Sequence, residues 1–143
     1  MQRIFLDTNV VIDFLGERKP FYESVAKILT LADNKKIKIF TSPTTISTTY
    51  YILNRLECSK IALEKIRKFK LLCDISVMDN EVIDKAIISN FKDFEDALQY
   101  FSAIATNCDW VHFKLSYYLS RLSNRLFEDV DYFIPLFIHR NNP

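Results

Sequence analysis

The sequence predicts an α/β fold: three layers, α/β/α, around a central parallel sheet of about four or five strands. Three observations point there. Short apolar runs alternate with longer stretches of helical periodicity along the chain. The 143 residues, 49% of them hydrophobic, suffice for a single domain spanning 1–143 with its own core. A carboxylate, Asp7, stands where the first apolar run hands over to a helical stretch. In open α/β sheets that handover lies at the carboxyl edge, where ligands bind.

Taken in order, residues 3–6 form a first strand and 8–15 a helix capped by Thr8 or Asn9. Pro20 suits the first position of the next helix, in which Phe21, Val25, Ile28, Leu29 and Ala32 keep helical spacing until Asp33 and Asn34 end it. Residues 37–40 read as a second strand and 43–56 as a helix with Ile46, Tyr50 and Leu53 on one face. Ser59 caps a helix carrying Ala62, Ile66 and Phe69, and 73–77 is a third strand. Asp79 caps a helix through Ile83, Ala86, Ile87 and Asn90. Asp93 or Phe94 opens another that runs to about Cys108, with Ala97, Phe101 and Ile104 inward. Residues 110–113 read as a fourth strand. Farther on, Leu115, Leu119, Leu122 and Leu126 share one helical face, which suits core or dimer surface. Residues 132–139 read as an edge strand, because Pro135 bars them from a central position. Parallel strands need crossover helices, which cover both faces of the sheet.

Composition removes several classes of function. A net charge of +1 is too small for a polycation that coats nucleic acid, so any such contact must come from a local patch. The single glycine, Gly16, excludes Gly-rich phosphate cradles, dinucleotide fingerprints and the Gly-x-Ser-x-Gly elbow. His112 and His139 lie far apart with no cysteine at ligand spacing, which argues against zinc. Cys58, Cys73 and Cys108 are odd in number and scattered, so they read as small core residues in a reducing compartment. No apolar stretch is long enough to cross a bilayer, and no secretion leader is visible. A cytoplasmic protein without membrane contact is expected.

Carboxylates are what remain for chemistry. The candidates are Asp7 with Asn9 beside it, the run Asp93-Phe94-Glu95-Asp96 at a helix start, and Asp109 after that helix. Oxygen donors converging from different elements suit a hard divalent cation such as Mg²⁺ or Mn²⁺. Each also has a plain structural use. Asp93 and Asp96 have the spacing of a helix cap, and acids in a first turn are favoured by the helix dipole. Asp7-Thr8-Asn9 is equally a capped strand-to-helix turn, and Asp13 and Glu17 suit a solvated face.

The segment Phe5-Leu6-Asp7-Thr8-Asn9-Val10-Val11-Ile12-Asp13 closely resembles the opening signature of PIN-domain proteins. These small metal-dependent ribonucleases include the toxins of bacterial VapBC toxin–antitoxin pairs. Arg18-Lys19-Pro20-Phe21-Tyr22, Ser42-Pro43-Thr44-Thr45-Ile46 and Asp93-Phe94-Glu95-Asp96-Ala97 follow in the family's order, so the resemblance covers residues 3–109. It implies that Asp7 is the first metal-binding Asp, Asp96 the third acid, and Asp93 an assisting neighbour. Asn9 would orient Asp7 or a water. It also implies an RNA substrate, a small antitoxin protein as partner, and a homodimer.

Two departures from the family pattern bear on activity. Many members place a Glu six residues after the Ser aligned with Ser42, where this chain has Thr48. A hydroxyl can orient a water but brings no negative charge, so Thr48 takes an outer role and metal affinity should fall. After Asp109-Trp110 the family's Thr-Arg-Asn-x-x-Asp-Phe segment has no counterpart, and Glu128, Asp129 and Asp131 come at the wrong spacing. A shifted reading frame or genuine divergence would each produce that break. The missing acids keep open a catalytically degenerate module that binds RNA or a protein. A haloacid-dehalogenase-type phosphatase fits less well, since it wants an acid where Asn9 stands. For RNA contact the sequence offers Lys60, Lys65, Arg67, Lys68 and Lys70, then Lys35, Lys36 and Lys38, and more weakly Arg121 and Arg125. Tyr50 and Tyr51 could stack on a base, although core packing is their plainer use.

Overall fold

The computed structural model describes residues 1–112. In order they form β1 (Gln2–Leu6), α1 (Thr8–Leu15), α2 (Tyr22–Asp33), β2 (Ile37–Thr41), α3 (Pro43–Leu56), α4 (Ser59–Lys70), β3 (Cys73–Ile75), α5 (Asn80–Ile88), α6 (Phe94–Ala105) and β4 (Trp110–His112). The expected tail helix over residues 115–126 and edge strand over 132–139 lie outside the described residues.

The four strands form one parallel sheet in the order β3-β2-β1-β4. β1 is therefore central, flanked by β2 through Ile4 opposite Ile39 and by β4 through Leu6 opposite His112. A central parallel strand is buried on both sides, which is why Ile4, Phe5 and Leu6 run together without a polar break. Side chains alternate across it. Ile4, Leu6, Ile37 and Ile39 enter one core with Val10 and Val11 of α1, Val25 and Ile28 of α2, Leu53 of α3, and Ala62 and Phe69 of α4. Phe5, Phe40 and Val111 point the other way and meet Ala103 and Cys108. Burying each aliphatic or phenyl side chain of this kind stabilises the fold by roughly 1.5–3 kcal/mol. The three-layer arrangement expected from the alternation is what the chain adopts.

Local details differ in instructive ways. Asp7 itself caps α1, accepting from Val10 N at 2.9 Å, so neither Thr8 nor Asn9 does. α2 begins at Tyr22, two residues after Pro20. Cys58 occupies the cap position of α4, and the Ser59 hydroxyl meets Tyr50 Oη at 3.0 Å instead. α5 ends at Ile88, before Asn90, and turns Val82 and Ala86 inward while Ile83 and Ile87 stay exposed. α6 stops at Ala105, short of Cys108, because Thr106 and Asn107 form its C-terminal turn. Ile104 is exposed, Gln99, Ser102 and Ala103 share a buried face, and Ala97 is buried as well.

Candidate active site

Asp7 follows β1 directly, so its carboxylate sits at the carboxyl edge of the sheet, and it is only 1% exposed. Its Oδ1 accepts from Val10 N, and Asn9 Nδ2 lies 3.5 Å from its Oδ2. The α1 dipole favours an anion at this position. A carboxylate has about four acceptor sites on its two oxygens, so capping the helix does not exhaust it.

A dense polar layer adjoins Asp7. Thr8 Oγ1 donates to Glu95 Oε1 at 2.7 Å, receives Gln99 Nε2 at 3.2 Å, and lies 3.1 Å from Thr45 Oγ1. Gln99 Nε2 also reaches Glu95 Oε1 at 3.2 Å. From Thr45 the contacts run to Ser42 Oγ at 3.0 Å and on to Thr44 Oγ1 at 2.8 Å. Thr41 Oγ1 donates to the Leu6 carbonyl at 2.9 Å, tying the ends of β1 and β2 together. The starts of α1, α3 and α6 thus meet at one edge, and the segment of Asp7 lies against the segment of Asp96.

Asp93 is exposed and caps α6, accepting from Asp96 N at 3.1 Å, so its structural use is realised. Asp96 is half-buried in the first turn of the same helix. Thr48 is half-buried on α3, one turn beyond Thr45. Asp109 is elsewhere. Its Oδ2 accepts from Arg3 N at 2.8 Å at the start of β1, and Asp7 lies four residue steps along the extended chain from Arg3, roughly 13 Å. Asp109 is therefore no partner of Asp7, because β4 runs parallel to β1 and begins at the opposite edge.

Among the described residues no three of His, Cys, Asp and Glu come together as a ready-made metal cage. The donor chemistry still fits a hard cation. The edge offers carboxylate and hydroxyl oxygens, and Mg²⁺ or Mn²⁺ is commonly held by one or two carboxylates with waters and substrate phosphates filling the rest. Asp7 and Asp96 are the residues that could hold it. The cysteines take no part: burial pushes the thiols of Cys73 and Cys108 up to about 12, and Cys58 is exposed rather than in the core. Lys35, Lys38 and Lys70 line a cavity of about 260 Å³ with Met1, Ile37 and Cys73, at the amino edge of the sheet and away from Asp7. Lys65 is engaged by Glu57 at 2.6 Å and by the Leu15 carbonyl at 2.9 Å. Tyr50 packs on the core, whereas Tyr51 is exposed beneath the Arg55 guanidinium, 5.7 Å from its ring centre.

Gln99 was absent from the sequence-based candidates. A signal existed: a Glu95–Gln99 pair at i,i+4 sets a polar residue on the stripe that also carries Ser102 and Ala103.

A family model described as PIN domain matches residues 3–111. Ribonuclease VapC1 of Aquifex aeolicus is 30% identical over 112 residues, covering 75% of this chain and 77% of that protein. Two solved structures share the fold. VapBC2 from Rickettsia felis, bound to a promoter DNA fragment, superposes with a TM-score of 0.59 at 19% identity, over 79% of this chain and 89% of that one. Mycobacterium tuberculosis VapC20, a toxin that cleaves the sarcin-ricin loop, superposes with a TM-score of 0.61 at 15% identity, over 83% and 94%.

Proposed function

This chain belongs to the PIN domain family, and on that premise we propose that it is a ribonuclease cleaving RNA phosphodiester bonds with a divalent cation at Asp7 and Asp96. The observation that carries this reading is the Thr8–Glu95 hydrogen bond of 2.7 Å. It joins the residue after Asp7 to the residue before Asp96, although 87 positions separate the two in sequence.

In this reading Asp7 binds the ion while its Oδ1 keeps the helix cap, which fixes the carboxylate before any ligand arrives. Asp96 approaches from the first turn of α6, and Asp93, capping that turn, sets its position. Asn9 is exposed beside Asp7 and orients a water or the carboxylate. Thr48 contributes a hydroxyl and no charge. A bound Mg²⁺ or Mn²⁺ would supply an acidified water and neutralise charge developing on the phosphoryl group. The helix starts gathered at this edge favour a phosphate nearby.

The reading extends to partners. Curated and structural relatives carry VapC and VapBC names, so we assign this chain the toxin role of such a pair, with a small antitoxin and a second copy of the chain as protein partners. Among the described residues no helix is long and apolar enough to cross a membrane. A cytoplasmic location goes with that role.

A metal-dependent RNase assay comparing wild type with Asp7→Asn tests the core of it. Wild type is expected to cleave with Mg²⁺ or Mn²⁺ and to stop on chelation, and the variant to be inactive. Equal cleavage by both would remove Asp7 from the chemistry. The second reading is a degenerate module that binds RNA or protein without cutting, favoured by Thr48 and by the lack, among the described residues, of a third clustered acid. No cleavage by wild type, with RNA binding retained, would select it.

A further inference from the structure

The polar layer beside Asp7 has a direction, and it follows from counting hydrogens. A hydroxyl carries one proton and accepts on two lone pairs. Thr8 gives its proton to Glu95 Oε1, so the 3.1 Å contact with Thr45 must be donated by Thr45. Thr45 then has none left, so Ser42 donates across their 3.0 Å contact. By the same step Thr44 donates to Ser42 at 2.8 Å, and the Thr45 backbone N–H fills the remaining Ser42 acceptor at 3.0 Å. The order is Thr44 to Ser42 to Thr45 to Thr8 to Glu95.

Thr8, the last hydroxyl before Glu95, is saturated, with Gln99 Nε2 taking its second lone pair. Gln99 holds a single orientation for the same reason. Turning its amide over would set its carbonyl against the Glu95 carboxylate, and its Oε1 instead stays buried with no hydrogen-bond partner among the described residues. A buried unpaired carbonyl costs free energy, so its retention marks a network whose polarity is set by its last acceptor.

We propose that Glu95 is a positioning residue, the terminal acceptor of a one-way hydroxyl chain that fixes α1, α3 and α6 in register and so sets Asp7 against Asp96. Glu95 touches neither the ion nor the RNA in this scheme. The inference rests on the metal-dependent reading above and deepens it.

The test uses the full chain and Mn²⁺ alone, with calorimetric titration as the readout and RNA cleavage as a second one. Thr8→Val and Glu95→Ala should each weaken Mn²⁺ binding by about tenfold or more, as loss of an outer-shell partner does elsewhere. The double variant should lose no more than either single one, because both cut the same link. Thr8→Ser keeps the hydroxyl and should bind like wild type. Glu95→Gln keeps an acceptor at the same atom and should stay close to wild type, which preserves the test if Glu95→Ala fails to fold. Cleavage by Thr8→Val should lose kcat with little change in KM for RNA. Wild-type affinity in Glu95→Ala, additive losses in the double variant, or a Glu95→Gln loss as large as that of Glu95→Ala would each overturn the proposal while leaving the nuclease reading intact. Wild-type protein that binds no Mn²⁺ would overturn both.

Discussion

The two ends of the central strand carry opposite charges and do opposite things. At its carboxyl end Asp7 caps α1, and the next residue, Thr8, joins the starts of α3 and α6 through Thr45 and Glu95, where partial positive charge gathers. At its amino end Arg3 meets the finish of α6, donating through its Nη2 to the Thr106 carbonyl at 2.7 Å. Each charge suits the helix ends it faces. The Arg3 guanidinium lies over the Phe40 ring, 4.4 Å from its centre, and its Nε is buried without a hydrogen-bond partner among the described residues. Asp109 is occupied with the Arg3 backbone. The amino end is a closed clamp between β1, β4 and α6. The carboxyl end instead brings together acids and hydroxyls from three helices, with Asn9 exposed beside them. Convergence of several elements on one polar layer, rather than burial of a charge, separates a site from a fastening.

The contrast is broken most severely at Asp7. Asp7→Asn or Asp96→Asn should lower kcat for RNA on the order of 100-fold or more, since metal catalysis is worth several kcal/mol and each 1.36 kcal/mol is tenfold. A steady-state cleavage series checks this, and an undiminished Asp96→Asn would take that acid out of the site. Next in size is a gain. Thr48→Glu adds the missing charge one turn beyond Thr45, and Mn²⁺ affinity should rise by about tenfold, which titration of the variant would read. No change would mean that α3 does not face the ion.

Arg3→Met probes the other end. It removes the Thr106 hydrogen bond and the contact over Phe40 together with the unpaired Nε, so stability should fall by only about 1–2 kcal/mol. Cleavage per folded molecule should not change. Denaturant melts beside an RNase assay separate the two effects, and a lost activity would erase the distinction between the ends.

The smallest effect concerns Asp13 on α1. Burial raises its carboxyl above the usual 3.8, with Arg18 at 3.6 Å pulling the other way. A raised acid means that the folded chain holds this proton to higher pH than the unfolded chain. Ionised Asp13 therefore costs stability above its folded pKa, and the cost vanishes below 3.8. Relative to wild type, Asp13→Asn should gain in melting temperature as pH rises through that window. A difference independent of pH would contradict the assignment.

Periodicity and handover made most of the scaffold legible. Residues 8–15 and 43–56 are helices with the very bounds their patterns suggest, because Asp7 and the Ser42-Pro43 pair punctuate them sharply. Helix ends without such punctuation slipped: Pro20 precedes α2 instead of opening it, and Ser59 lies inside α4 rather than at its cap. Faces were harder than elements. On α5 the run Val82, Ile83, Ala86, Ile87 offers two overlapping apolar stripes, and packing chose Val82 and Ala86. Asp7 and the α6 acids could be named from residue type and spacing, with the resemblance adding their roles. The Glu95–Gln99 spacing is visible too, but their joining to Thr8 is not, since hydroxyls and an amide gain meaning only once three helices meet. Asp109 misled for a topological reason: an acid before a parallel strand lies at the far edge from an acid after one.

Asp7 and Asp96 are proposed to share one ion. A crystal of the full chain soaked in Mn²⁺, with anomalous scattering used to locate the metal, reads it directly. A single peak within coordination distance of both carboxylates is expected, absent in Asp7→Asn. A peak at some other cluster of acids, or one that persists in Asp7→Asn, would contradict it.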